Sequence, residues 1–334
     1  MKNAIQSQSR RRTAVTVALL LASLSALVQA QAPAPAYPSR PVRMIIPFPA
    51  GGNTDITARP LAGKLAEVFG QTFLVDNRPG AGTIIGAEIA ARATPDGHTL
   101  LFAAQNTLAI NPATYRKLPY NVKRDFAPVA MLTDYNYVLA ARVGFGPKTV
   151  PEMIALARAN PGTISHGSIG EGSSGHMAQL LLESMAKVKL IHVPYKGNAP
   201  MITDLLGGQL DVALLGMASI QNQVKAGKIR LFAAASEKRM DEFPDLPTVA
   251  EAGYAGFTSG TWMSMVTQAA VPRAIILRLN REVNRALQSP EVKGPLESQK
   301  VTLGSGTPED LAKRIDFETE RWAKVAKEVN LVFD

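Results

Sequence analysis

Short apolar runs and amphipathic runs take turns along most of the chain. VRMIIPF (42–48), TFLVDN (72–77) and HTLLFAA (98–104) are continuous apolar stretches that read as buried strands. Between them, DITARPLAGKLAEVFG (55–70) and GAEIAARATP (86–95) carry apolar residues at helical spacing and predict helices. Strands separated by helices indicate parallel βαβ units. Pro60 falls inside the first of these helices, past its first turn, where it removes one backbone donor and can bend the helix.

After a loop-rich middle the pattern resumes. VPEMIALARANPG (150–162) reads as a helix, TISHGSI (163–169) as a strand and SGHMAQLLLESMAKV (174–188) as a helix. KLIHVPY (189–195), LDVALLG (210–216) and IRLFAAAS (229–236) predict strands, separated by the helical runs APMITDLLGGQ (199–209) and SIQNQVKAGK (219–228). TWMSMVTQ (261–268) is a further strand, and two amphipathic helices close the chain, 272–288 and 308–329. The last opens on Thr307, Pro308, Glu309 and Asp310, a cap residue, a proline at the first helical position and then acids. Two βα blocks and a C-terminal return predict two similar lobes. The expected limits are 40–140 with 257–334 for lobe 1 and 141–256 for lobe 2. The chain should cross near Tyr137–Gly144 and return near Gly256–Met265. Open α/β sheets bind ligands beyond the carboxyl ends of their strands, which here is the cleft between the lobes.

The first thirty residues do not fit this pattern. Arg10, Arg11 and Arg12 precede the apolar stretch Ala14–Val28 and a small-residue cleavage site ending at Ala30. This is a secretory signal peptide, followed by a Pro/Ala spacer over 31–39. The adjacent arginines leave Sec and twin-arginine export both open. Loss of Lys2, Arg10, Arg11 and Arg12, with no acid, takes the formal charge from +9 to +5. That mild excess is not clustered, so no nucleic-acid surface is expected. The chain has no cysteine, which excludes disulfides, thiol nucleophiles and Cys-based zinc sites. No later segment has the length of a membrane helix, so a soluble periplasmic protein is expected.

Three strand-to-helix junctions are rich in glycine: PFPAGGNTD (47–55), RPGAGTIIG (78–86) and GEGSSG (170–175). Each exposes unpaired backbone N–H groups at the positive end of a helix, a general seat for an anion. GEGSSG also matches the dinucleotide fingerprint G-x-G-x-x-G. That reading needs an acid at the end of the next strand. The next strand ends in Lys196, and the strand after GAGTIIG ends in Gln105 and Asn106, so both candidates fail. No bound cofactor is expected. His98, His166, His176 and His192 show no metal spacing, and no metal site is expected. Ser174 lacks the glycine two positions on that a G-x-S-x-G elbow requires, since His176 stands there. A Ser174–His176 nucleophile pair is conceivable on paper, although side chains two apart at a helix start diverge. His176 is better read as a donor or an orienting group.

Several long stretches together resemble the receptors of tripartite tricarboxylate transporters, the Bug-type solute-binding proteins. They include PFPAGGNTDITAR, VDNRPGAGTIIGAEIAARATPDGHTLLFA, GSIGEGSSGHMAQLLLE, VPYKGNAPMITDLLGGQLDVAL and FPDLPTVAEAGY. The resemblance runs from about Tyr37 to the C-terminus. It implies a two-lobed type II periplasmic-binding fold, each lobe a mostly parallel sheet flanked by helices, that closes on a small carboxylate and catalyses nothing. It also implies a ligand site. Phe48, Pro49, Ala50, Gly51, Gly52 and Asn53 would contribute from lobe 1, with Ser168, Gly172, Ser173, Ser174 and His176 from lobe 2. Ala104, Gln105 and Asn106, with Gly197, Asn198, Ala199 and Pro200, would complete the wall. Asp55 is read as a structural brace, because a bare acid would repel an anionic ligand.

Opposed helix N-termini can hold two carboxylates, one per lobe, without an arginine. A C4–C6 di- or tricarboxylate is the first expectation, an aromatic dicarboxylate of the terephthalate type the second, and an amino acid or nicotinate-like monocarboxylate the third. Phe48, Tyr135, Tyr137 and Trp262 would stack an aromatic ligand if they face the cleft. The resemblance implies membrane permease subunits as partners and a monomeric receptor. A carboxylate sensor that presents its closed state to a membrane kinase would carry the same site. An exported enzyme using Ser174 or His176 is the remaining alternative.

Overall fold

The computed structural model describes residues 37–50, 53–298 and 301–334. The expected signal peptide, residues 31–36 of the spacer, and Gly51 and Gly52 lie outside the described residues. The elements in chain order are β1 (Val42–Ile46), α1 (Asn53–Phe69), β2 (Phe73–Asn77), α2 (Ile84–Ala91), β3 (Thr99–Ala104), α3 (Asn111–Thr114) and α4 (Val122–Asp125). They continue with β4 (Phe126–Arg142), α5 (Val150–Ala159), β5 (Ser165–Ser168), α6 (Ser174–Ala186), β6 (Ile191–Pro194), α7 (Asn198–Gly207), β7 (Val212–Gly216), α8 (Gln221–Lys225) and β8 (Ile229–Ala234). The chain closes with β9 (Gly260–Gln268), α9 (Arg273–Leu287), α10 (Pro290–Ser298), β10 (Thr302–Leu303) and α11 (Pro308–Glu328).

The strands order as β2-β1-β3-β9-β4-β7-β5-β6, with β8 and β10 also on β4. β1 pairs in parallel with β2 and β3, and β5 in parallel with β6 and β7, as the βαβ reading requires. Val42, Met44, Ile45 and Ile46 of β1 are all buried, which explains a run apolar on both faces instead of alternating. β4 is the strand the sequence conceals. It occupies much of the segment that reads as loop. Its residues Phe126–Asn136 pair with β9, and Tyr137–Arg142 pair with β7 and β8. The register against β9 shifts between Pro128 and Ala130 and between Met131 and Thr133. Each bulge adds a residue and flips the side-chain phase, so no sustained alternation is left to read. β4 thus joins two half-sheets of like order, β2-β1-β3-β9 and β6-β5-β7.

Helix α6 ties the halves together. Its Ala178, Leu182 and Ala186 pack into the core of the second half with Val150, Met153 and Phe232. Met177, fully buried, enters the other core beside Ile45, Trp262 and Trp322. Burial of such a side chain contributes on the order of 1.5–3 kcal/mol. Helix α11 brings Trp322, Val325, Leu311 and Ile315 to that same core. Its start carries a reciprocal capping box between Thr307 and Asp310. The N-terminus of α6 is therefore held at the junction of the halves by apolar packing on two sides.

Candidate functional site

The glycine-rich turn follows directly from the end of β5. The Ser168 hydroxyl contacts the Gly170 carbonyl at 2.9 Å and His192 Nε2 at 2.7 Å. Gly170 has φ 120° and Gly172 φ 66°, a left-handed path closed to most side chains. Ser173 caps α6, its hydroxyl accepting the His176 N–H at 3.3 Å. The Gly172 N–H donates to His176 Nδ1 at 3.1 Å. One amide of the turn is thus engaged internally, and His176 acts on the turn as an acceptor.

Asn106 reaches this turn from the end of β3. Its Nδ2 donates to the Gly172 carbonyl at 2.8 Å, and its Oδ1 accepts the Ser174 hydroxyl at 3.0 Å. The two hydrogen bonds join the carboxyl end of a strand in one half to the helix start in the other. Ser174 therefore hydrogen-bonds Asn106 and not His176, so no Ser–His pair is formed. Tyr137 is buried with its hydroxyl toward Ser174, and burial pushes that phenol up to about 12.

Three histidines stand behind the turn. His166 and His192 are register partners on β5 and β6, and the rings of His176 and His192 stack with centroids 3.8 Å apart. Burial, reinforced by the neighbouring rings, pushes His166 down to about 3 and His176 down to about 4. Burial also lowers His192, with Glu171 opposing. All three are neutral near pH 7, and no group of metal-ligating side chains occurs among the described residues.

In the first half, Phe48 is half-buried and Pro49 and Ala50 are exposed at the tip of the loop after β1. Asn77 Nδ2 donates to the Phe48 carbonyl at 3.1 Å and to Asp55 Oδ1 at 3.0 Å. Arg59 donates from Nε and Nη2 to Asp55 Oδ2 at 3.1 and 3.0 Å. Asp55 is 5% exposed, so its charge is spent on holding the loop to α1 and β2. The second glycine junction is strained: Gly80, Ala81, Gly82 and Thr83 all have positive φ. It is held by Asn111 Nδ2 on the Gly82 carbonyl at 2.9 Å and by Thr107 Oγ1 on Thr83 Oγ1 at 2.9 Å.

The remaining expected wall residues are less convergent. Ala104 is buried, and Gln105 Nε2 donates to Glu318 of α11 at 3.1 Å. Gly197, at φ 127°, precedes α7, where Asn198 Nδ2 donates to Ser219 Oγ at 3.2 Å and Ala199 and Pro200 are exposed. Ser219 is a neighbour that sequence reasoning missed. Its signal is a small-residue turn directly after β7, at the place equivalent to the glycine turns. Trp262 is fully buried in the core and Tyr137 nearly so, while Phe48 and Tyr135 stay partly accessible. A separate groove of about 890 Å³ lies where Asp134, Thr302 and Arg314 face Met217 and Ser236. It contains none of the expected site residues. Its lining has five carboxylates against three cations, which disfavours a dianion there.

The model of the tripartite tricarboxylate transporter family receptor matches residues 57–331. Protein BugT of Bordetella pertussis is 35% identical over 302 residues, 90% of this chain and 93% of its own length. An R. palustris protein solved with adipate superposes with a TM-score of 0.78 at 32% identity, covering 89% of this chain and 99% of its own. MatC of Rhodopseudomonas palustris, solved with bound malate, gives 0.76 at 32% identity, covering 86% and 99%. The half-sheets joined through β4 are accordingly the two lobes of a type II periplasmic-binding fold.

Proposed function

We propose that this chain, which belongs to the tripartite tricarboxylate transporter receptor family, closes on a small dicarboxylate in the periplasm and passes it to membrane permease subunits. Members of the family are solute-binding receptors and not enzymes. In this reading lobe 1 comprises 40–140 with 257–334 and lobe 2 comprises 141–256. The protein works as a monomer. One carboxylate sits at the loop 48–53 and the other at the start of α6, between Ser168 and His176.

The observation that carries the reading is the position of the α6 N-terminus at the lobe junction, where Asn106 already crosses from the facing lobe to Gly172 and Ser174. A carboxylate there gains helix-end amides in a site that closure dries, and charge-assisted hydrogen bonds strengthen as water leaves. The ligand bridges both lobes only when they are closed, so it shifts the population toward that state. The relatives solved with adipate and with malate support an aliphatic C4–C6 dicarboxylate. So does the burial of Trp262 and Tyr137, which removes two of four candidate surfaces for stacking an aromatic ring. The export segment supports the periplasm. No helix among the described residues is long and apolar enough to cross a membrane.

The test is a thermal-shift panel on residues 31–334, unfolded and refolded to strip bound ligand. It holds malate, adipate, citrate, terephthalate, an amino acid and NAD. A ligand at a hundred times its Kd adds about 2.7 kcal/mol. Stabilisation by malate or adipate and none by NAD is expected. Stabilisation by NAD alone, or turnover of a carboxylate, overturns the reading.

A further inference from the structure

We propose that Phe333, the next-to-last residue of the chain, is a positioning residue that holds the Gly170–Ser174 turn in its binding shape. After α11 the chain does not trail into solvent. The Phe333 N–H donates to the Thr114 carbonyl at 2.7 Å, and the Arg116 N–H donates to the Phe333 carbonyl at 3.0 Å. Tyr115 and Phe333 form an isolated parallel bridge, and their rings pack with centroids 5.1 Å apart. Upstream, Ser184 of α6 donates to Glu328 of α11 at 2.7 Å, which anchors the helix that feeds the tail.

This places the Phe333 ring against Gly172. A Cβ built on Gly172 would stand 3.0 Å from Phe333 Cε2, so the ring closes the side of the turn that the missing side chain leaves open. Tyr115, packed on the Phe333 ring, carries its hydroxyl toward Gly82, where a built Cβ would meet it at 3.7 Å. The Tyr115–Phe333 pair thus spans from the second glycine junction, in lobe 1, to the third, in lobe 2. Gly172 is held from three directions: Asn106 on its carbonyl, His176 on its N–H and Phe333 on its Cα face. Glycine has the widest conformational freedom, so a left-handed glycine beside a ligand site loses affinity to disorder unless it is restrained. The ring supplies that restraint without a polar atom that would compete for the anion. Phe333 touches no ligand in this account. It acts through Gly172.

The experiment combines hydrogen exchange of ligand-free protein with binding of adipate and malate, on residues 31–334 carrying Phe333→Ala or Phe333→Tyr. Loss of one aromatic contact should speed exchange at 170–176 in Phe333→Ala by about three- to tenfold. Exchange in β1 and β3 should be unchanged, and Phe333→Tyr should behave as wild type. The dissociation rate of the carboxylate should rise by a similar factor, because losses at a preformed site fall mostly on that rate. Unchanged exchange at 170–176 overturns the proposal. Uniformly faster exchange across the sheet overturns it too, since that is a global stability effect. Should Phe333→Ala fail to fold, Phe333→Leu, which keeps bulk and loses the flat ring, decides on the same peptides. The ligand arm rests on the carboxylate-receptor reading. If the wild type binds neither adipate nor malate, that reading fails while the exchange arm still decides the role of Phe333. If the wild type binds and Phe333→Ala dissociates at the same rate, the role of Phe333 in binding is refuted.

Discussion

The imidazoles of His176 and His192 lie face to face, 3° from parallel with centroids 3.8 Å apart, and His176 Nδ1 accepts the N–H of Gly172. The hydrogen bond requires a neutral His176, and the stacking excludes a charge on both rings at once. A protonated Nδ1 is a donor and cannot accept, and two imidazolium rings at that distance repel. With His166 beside them, their folded-state values lie below the ordinary 6.5. As pH falls, the unfolded chain takes up protons first. The stability these rings allow is full above about pH 6.5 and is lost progressively down to about pH 3, the folded-state value of His166. Urea unfolding at stepped pH should show this decline. His166→Gln should flatten it, and an unchanged slope in that variant would contradict the assignment.

Asn106→Ala should weaken both carboxylate binding and the fold. It removes both hydrogen bonds between the β3 end and the turn, and leaves the Gly172 carbonyl and the Ser174 hydroxyl without that partner. Two such bonds contribute about 0.5–1.5 kcal/mol each. A rise in Kd of about tenfold in calorimetry is expected, together with a stability loss of about 1–3 kcal/mol in chemical denaturation.

Asp55→Ala should act on the loop after β1. The carboxylate accepts from Asn77 and from Nε and Nη2 of Arg59, which is itself half-exposed. Screening reduces the ion-pair share, so a cost of about 1–3 kcal/mol is expected, mostly from the buried hydrogen bonds. Chemical denaturation measures it. Asp55→Asn should recover part of the loss.

Gly86→Ala should destabilise the sheet around β1. A Cβ there would stand 2.8 Å from Pro47 Cβ and 3.0 Å from the Arg78 carbonyl, which brings α2 tight against the end of β1. Overpacking of this kind costs about 1–3 kcal/mol. A thermal midpoint lowered by several degrees is the expected readout.

The glycine junctions, the βαβ order and the capped final helix were legible because each depends on neighbours within a few residues. A threonine cap followed by a proline at the first helical position, and a buried run such as Val42–Ile46, declare themselves locally. The brace role of Asp55 was also legible, from the mismatch between its charge and an anionic ligand. Other features had no local signature. β4 is hidden by its bulges, since a strand that changes phase and partner loses its period. The engagement of Asn106 with residues 66 and 68 positions away, and of Phe333 with Gly172, comes from two cores closing on α6. Sequence alone therefore determined the locally coded strands and helices and the glycine-rich turns between them, β4 excepted. Tertiary packing decided which turns meet, and which of their amides and hydroxyls are already taken.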